Sequence, residues 1–136
     1  MSVTNGGPDS RRLLWELIQK IFNEWKLSKE ERIAVLGTID EAYESWAAAG
    51  WMSQDGIWWR RAVKLLEIQS ALTIIFQSKK KEMLRTWLRA PNSYEGFMGK
   101  SPLEAMSLGE RKSLADLEGV ISYLKPVGHP HTKPSQ

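Results

Sequence analysis

Ser28-Lys29-Glu30-Glu31, Thr38-Ile39-Asp40-Glu41 and Ser101-Pro102-Leu103-Glu104 share one pattern, a hydroxyl residue followed three positions later by glutamate. That spacing lets the hydroxyl accept a backbone N–H three residues on. The glutamate reaches back to the N–H of the hydroxyl residue, so each pattern is the start signal of a helix. Between these signals apolar residues recur at three and four positions, the period of a helix face. No segment alternates as a strand would, and no internal repeat is present. The pattern predicts an all-α fold of six to seven helices: an N-terminal helix-turn-helix-like bundle followed by a small helical C-terminal domain.

Taken in order, residues 1–8 are polar and glycine-rich and read as a disordered leader. Residues 9–76 form the helix-turn-helix-like region. Asp9 or Ser10 caps a first helix whose inner face is Leu13, Leu14, Leu17, Ile18, Ile21, Phe22 and Trp25, with Trp15 off the stripe and exposed. Ser28 opens a short helix that ends at Gly37, a residue free to take a left-handed cap. Thr38 opens the next, carrying Tyr43 and Trp46. Two short helices around a tight glycine turn outline a helix-turn-helix, whose second helix is the reading one. Gly50 and Gly56 bracket a turn, and Asp55 caps a long helix over roughly 57–76. Residues 77–124 form the C-terminal domain, closed by a helix from about Glu110 to Leu124. Residues 125–136, with three prolines and little to bury, form a flexible tail.

Composition excludes several classes of function. There is no cysteine, so neither a disulfide framework nor a thiolate metal site can form, which suits the cytoplasm. No apolar run is long enough for a bilayer, and the N-terminus lacks the regions of a signal peptide. There is no phosphate-binding glycine loop and no spaced acidic metal motif. The two histidines, His129 and His131, flank Pro130 in the tail, where a solvated end is a better account than a metal site. Nothing points to an enzyme, a cofactor, a membrane or a small-molecule substrate. Net charge is +3 and uneven: residues 1–72 carry nine Lys/Arg against ten Asp/Glu, residues 73–136 ten against six.

The stretch from Trp87 to Glu110 is the most densely punctuated. Pro91 stops a helix, Asn92 to Gly99 form an ordered loop anchored by Phe97, and Ser101-Pro102 start another helix. Trp87-Leu88, Pro91-Asn92, Gly99, Ser101-Pro102-Leu103-Glu104, Met106 and Gly109 resemble the C-terminal domain of the Xre/MbcA/ParS family of bacterial type II antitoxins. LSKEERIAVLG, followed by the helix with Tyr43 and Trp46, is similar to the N-terminal region of the same family. The resemblance implies a protein that binds and occludes a RES-domain, NAD-degrading toxin. It implies toxin contacts at Trp87, Asn92, Phe97, Gly99, Ser101, Pro102, Leu103 and Gly109. Lys125, His129 and His131 of the tail would enter a pocket built for an anionic dinucleotide. It also suggests promoter DNA as a second partner, through Thr38, Tyr43, Ser45, Arg60 and Arg61. The alternatives are a DNA-binding autoregulator of its own operon and an adaptor with no toxin at all. The apolar surplus points to a homodimer.

Two features bear on these partners directly. From Thr38 to Trp59 there is no Lys or Arg, while Asp40, Glu41, Glu44 and Asp55 contribute −4. Affinity for DNA comes largely from phosphate neutralisation, so such a helix would be repelled. Lys79-Lys80-Lys81 with Arg85 and Arg89 is a basic stretch, more simply a solvated helix face than a phosphate contact. Among the tryptophans, Trp25, Trp46, Trp58 and Trp87 fit apolar faces, leaving Trp15, Trp51 and Trp59 as the surface candidates.

Overall fold

In the computed structural model residues 8–76, 81–93, 97, 99–108 and 114–128 are described. They form seven helices and no strand: α1 (Pro8–Trp25), α2 (Lys29–Leu36), α3 (Asp40–Ala49), α4 (Ile57–Phe76), α5 (Lys81–Arg89), α6 (Pro102–Leu108) and α7 (Ala115–Gly128). The all-α expectation therefore holds among the described residues.

Local chemistry sets most of the boundaries. Ser28 caps α2 as its spacing requires: Glu31 N–H donates to Ser28 Oγ at 3.1 Å, and Ser28 N–H donates to Glu31 Oε1 at 2.8 Å. Gly37 closes the helix at φ 69°, ψ 34°, a conformation that a Cβ would strain. The box expected at Thr38 does not form. The N-cap of α3 is Ile39, which moves Glu41 one position too early to reach back, and Thr38 is buried in the turn. α1 likewise begins at Pro8 rather than after Asp9 or Ser10, because proline already suits the first helical position. The leader now ends at residue 7 and lies outside the described residues. α7 runs to Gly128, past the expected end at Leu124, although Pro126 has no N–H to donate.

The core is built around α4, which packs against α1, α2, α5 and α7. Residues from all seven helices join one continuous apolar cluster, from Leu14, Phe22 and Trp25 through Leu65 and Leu72 to Leu88, Met106, Leu117 and Leu124. The helices of the two expected regions thus share a single core. Burying each of Leu117, Val120, Ile121 and Leu124 is worth about 1.5–3 kcal/mol, so the inner face of α7 contributes much of what holds it. Two surface expectations fail for one reason. Trp15 and Trp59 are only 8% and 6% exposed. Trp15 lies off the α1 stripe but meets Tyr43 and Trp46 of α3 at ring centroid distances of 5.4 and 6.5 Å. Trp59 lies on a central helix whose neighbours cover more than one face. Trp51 is half-buried beneath the Arg11 guanidinium, 4.5 Å from its ring centroid.

No helix among the described residues is long and apolar enough to cross a membrane.

Candidate partner-binding site

The loop after α5 is tied at both ends. Asn92 N–H donates to Lys100 O at 3.1 Å, and Lys100 N–H donates to Phe97 O at 3.0 Å. Gly99 sits at φ 79° with open space around it, so its role is conformational rather than steric. Phe97 is 4% exposed and anchors the loop in an aromatic cluster. Its ring meets Trp87 edge-on at 6.5 Å and Tyr123 at 5.1 Å, and Trp87 lies parallel to Tyr123 and 6.0 Å from Phe76. Loop, α4, α5 and α7 are thereby joined at one point.

The helix after the loop is capped as expected. Glu104 N–H donates to Ser101 Oγ at 3.1 Å and Ser101 N–H donates to Glu104 Oε1 at 3.0 Å. These bonds favour the charged form, so Glu104 titrates below the ordinary carboxylate range. Pro102 takes the first helical position, and Leu103 and Met106 point into the core.

Between α2 and α6 lies an open cleft of about 560 Å³, with Glu30, Glu31 and Ala34 on one wall and Ser101, Leu103, Glu104 and Ser107 on the other. Arg89 and Pro91 close one side. Arg89 is already engaged. It donates to both carboxylate oxygens of Glu31 at 2.8 and 2.9 Å and to Lys26 O at 3.0 Å. Glu31 is held at about 2, well below its ordinary 4.5, first by the Arg89 bonds and then by the Ser28 backbone. Folding thus lowers this pKa. The stabilisation is present above pH 4.5 and is lost as pH falls towards about 2. Both partners are partly solvated, so the pair is worth about 1 kcal/mol or less. Glu31→Gln, which keeps the capping geometry, is expected to be less stable than the parent at pH 6. In urea titrations across pH 6 to 2 the difference should close; a difference that persists at pH 2 would place the effect elsewhere.

The cleft gathers part of the expected toxin-binding set. Ser101 and Leu103 line it, beside Pro91. Phe97, Trp87 and Leu103 are mostly support, since Phe97 and Leu103 are buried and Trp87 is half-buried in the aromatic cluster. Asn92 and Gly99 lie in the loop behind Pro91. Gly109, His129 and His131 fall outside the described residues, and Lys125 lies in the last turn of α7. Glu30, Glu31 and Ala34 belong to α2, nearly sixty residues earlier, and the sequence reading did not join them to this site. The available signal was the reach of Arg89, an exposed arginine at a helix end with an acidic capping turn elsewhere in the chain.

The expected DNA-binding set is scattered instead. Ser45 and Arg60 are exposed. Thr38 is buried, and Tyr43 is 6% exposed, with its hydroxyl donating to Gln19 Oε1 at 3.3 Å. Arg61 is 2% exposed and cannot reach a phosphate. Its Nε donates to Val35 O at 2.7 Å, its Nη2 to Met106 O at 2.7 Å, and the fork pairs with both oxygens of Asp116 at 2.9 and 3.0 Å. One guanidinium thus joins the ends of α2 and α6 to the start of α7. The helical period was the missed signal: Arg61 falls on one face with Leu65, Ile68 and Leu72. The outer face of α3 stays acidic. Lys29 bridges to Asp40 at 3.0 Å and to Glu44, and these bonds raise its pKa above the ordinary lysine value. The basic stretch is partly spent inside the fold, since Arg85 donates to Glu24 O at 2.7 Å and Arg89 to Glu31. Lys79 and Lys80 lie outside the described residues.

No model of a known protein family matches the chain, and no curated protein matches it in sequence.

Proposed function

We propose that this chain is a type II antitoxin that binds a RES-domain, NAD-degrading toxin and acts by covering it rather than by catalysis. The toxin class rests on the resemblance of the stretch from Trp87 to Gly109. The observation that carries the proposal is geometric. That stretch folds as a loop clamped on an aromatic cluster, running into a capped helix, and together they frame the α2–α6 cleft. Residues tied by such bonds and ring contacts can hold a partner at a smaller ordering cost. Homodimerisation and a cytoplasmic setting belong to the same proposal.

The promoter-binding alternative is less well supported. The exposed face of α3 carries Asp40, Glu41 and Glu44, and the only basic group bridged to it is Lys29 from α2 among the described residues. A phosphate backbone gains little from such a surface.

The test is co-expression with a RES-domain toxin encoded beside the gene. The complex should co-purify and NAD consumption by the mixture should stop. Glu30→Arg, at an exposed position on the cleft wall, should weaken binding about tenfold, equivalent to 1.4 kcal/mol, with helicity unchanged. Removing residues 129–136 should reduce inhibition more than binding. Failure of the intact chain to bind any such neighbour would remove the antitoxin proposal.

A further inference from the structure

A second groove, sharing no residue with the α2–α6 cleft, runs between α1 and α4. It encloses about 360 Å³ between Leu17, Lys20, Ile21 and Glu24 of α1 and Leu66, Gln69 and Ser70 of α4. Gln69 is fixed at its floor: it accepts from Trp25 Nε1 at 2.8 Å and donates to Glu24 Oε2 at 3.3 Å. The apolar surface continues past the groove in both directions. Leu13 lies one turn before Leu17 and is half-buried, and Ile74 lies one turn after Ser70 and is 55% exposed. Leu13, Leu17, Leu66 and Ile74 therefore keep apolar surface in water on two adjacent helices.

We propose that this face pairs two copies of the chain about a two-fold axis. Its charges favour that occupant. Lys20 and Glu24 sit one turn apart on the rim, and no ion pair among the described residues includes either. Lysine placed N-terminal to glutamate is the weaker order for a pair within one helix. Glu24 Oε2 accepts from Gln69, and its other oxygen, with the Lys20 ammonium, is left to meet a neighbour. The rim is neutral in sum, so a strongly charged partner finds no complement on it. A second copy crossing antiparallel supplies one automatically: Lys20 faces the partner's Glu24, and Glu24 faces the partner's Lys20. Such an isologous patch must be self-complementary, and this one is. The size is also adequate. Eighteen residues of α1 give a face about 27 Å long, two helix diameters make it about 20 Å wide, and so roughly 500 Å² is available on each copy. That reaches the lower end of specific interfaces, about 1,000 Å² in total.

Sedimentation equilibrium of the full chain between about 1 and 200 μM tests this independently of any toxin. A monomer–dimer equilibrium is expected. Leu17→Lys should weaken it at least tenfold. Lys20→Glu and Glu24→Lys should each weaken it about tenfold, the equivalent of 1.4 kcal/mol, with unchanged helicity. Mixed together, the two single variants should associate at least as tightly as the parent, because the mixture puts two like-charged rims of opposite sign face to face. Strong salt should shrink these differences. A parent that stays monomeric at 200 μM, a dimer indifferent to Leu17→Lys, or a mixture no tighter than its components would each overturn the proposal. A monomer would remove homodimerisation from the antitoxin proposal and leave toxin binding, which the co-purification tests, to stand or fall separately.

Discussion

Arg61→Ala is expected to lower the free energy of unfolding by about 3–5 kcal/mol, because it leaves a buried carboxylate without its partner. The cost falls on three places at once. Asp116 loses both of its bonds to the fork, and the carbonyls of Val35 and Met106 lose a charged donor. For a chain of this length the melting temperature should drop by about 10–20 °C. Arg61→Lys should recover little of this, since an ammonium cannot present a planar fork to acceptors on three elements. Asp116→Asn should be milder than Arg61→Ala, because the guanidinium keeps its two carbonyls. Urea unfolding of the three variants decides the matter. A lysine variant as stable as the parent would show that charge alone, not the fork, holds these helices together.

Phe97→Ala is expected to cost about 3 kcal/mol, in the usual range for a buried phenylalanine. Its position makes the effect more than a loss of stability. Phe97 is the apolar anchor of the loop from Asn92 to Lys100, and its ring meets both Trp87 and Tyr123. Without it the bond from Lys100 N–H to Phe97 O has no packed base, and the rim of the cleft should loosen. Limited proteolysis should then cut between residues 91 and 100 faster than in the parent. Phe97→Leu retains most of the buried volume and forfeits mainly the aromatic contacts, each worth about 0.5–1.5 kcal/mol. It should fall between the two. A Phe97→Ala protein within 1 kcal/mol of the parent and equally resistant would mean that the loop is held by its backbone bonds alone.

What was legible in the sequence was local. The boxes at Ser28 and Ser101 span three residues, and both formed, because nothing distant competes for those groups. The box at Thr38 failed by a shift of one residue, which no local pattern could announce. The seven helices follow from periodicity, but their neighbours do not. Trp15 and Trp59 read as surface residues since a stripe describes one face, whereas α1 and α4 each meet more than one partner. The same limit misplaced Arg61. An arginine on an apolar face is understood only once Asp116, 55 positions later, is seen beside it. Half of the cleft was hidden for this reason too, since the pairing of Arg89 with Glu31 spans 58 positions.

That 55-residue separation has a consequence for biosynthesis. At about 5–20 residues per second, roughly 3 to 11 s pass between the synthesis of Arg61 and that of Asp116. Once residue 76 is made α1 to α4 are complete, yet until Met106 and Asp116 follow the guanidinium lacks both of those acceptors, and the flank of α4 that α7 will cover is bare. The nascent protein passes through a stage with an uncompensated charge beside exposed leucines, a natural substrate for holding chaperones. A ribosome that stalls before codon 116 leaves its product in that state for good. The cell's proteases would then be reading, through one arginine, whether translation had reached the last helix.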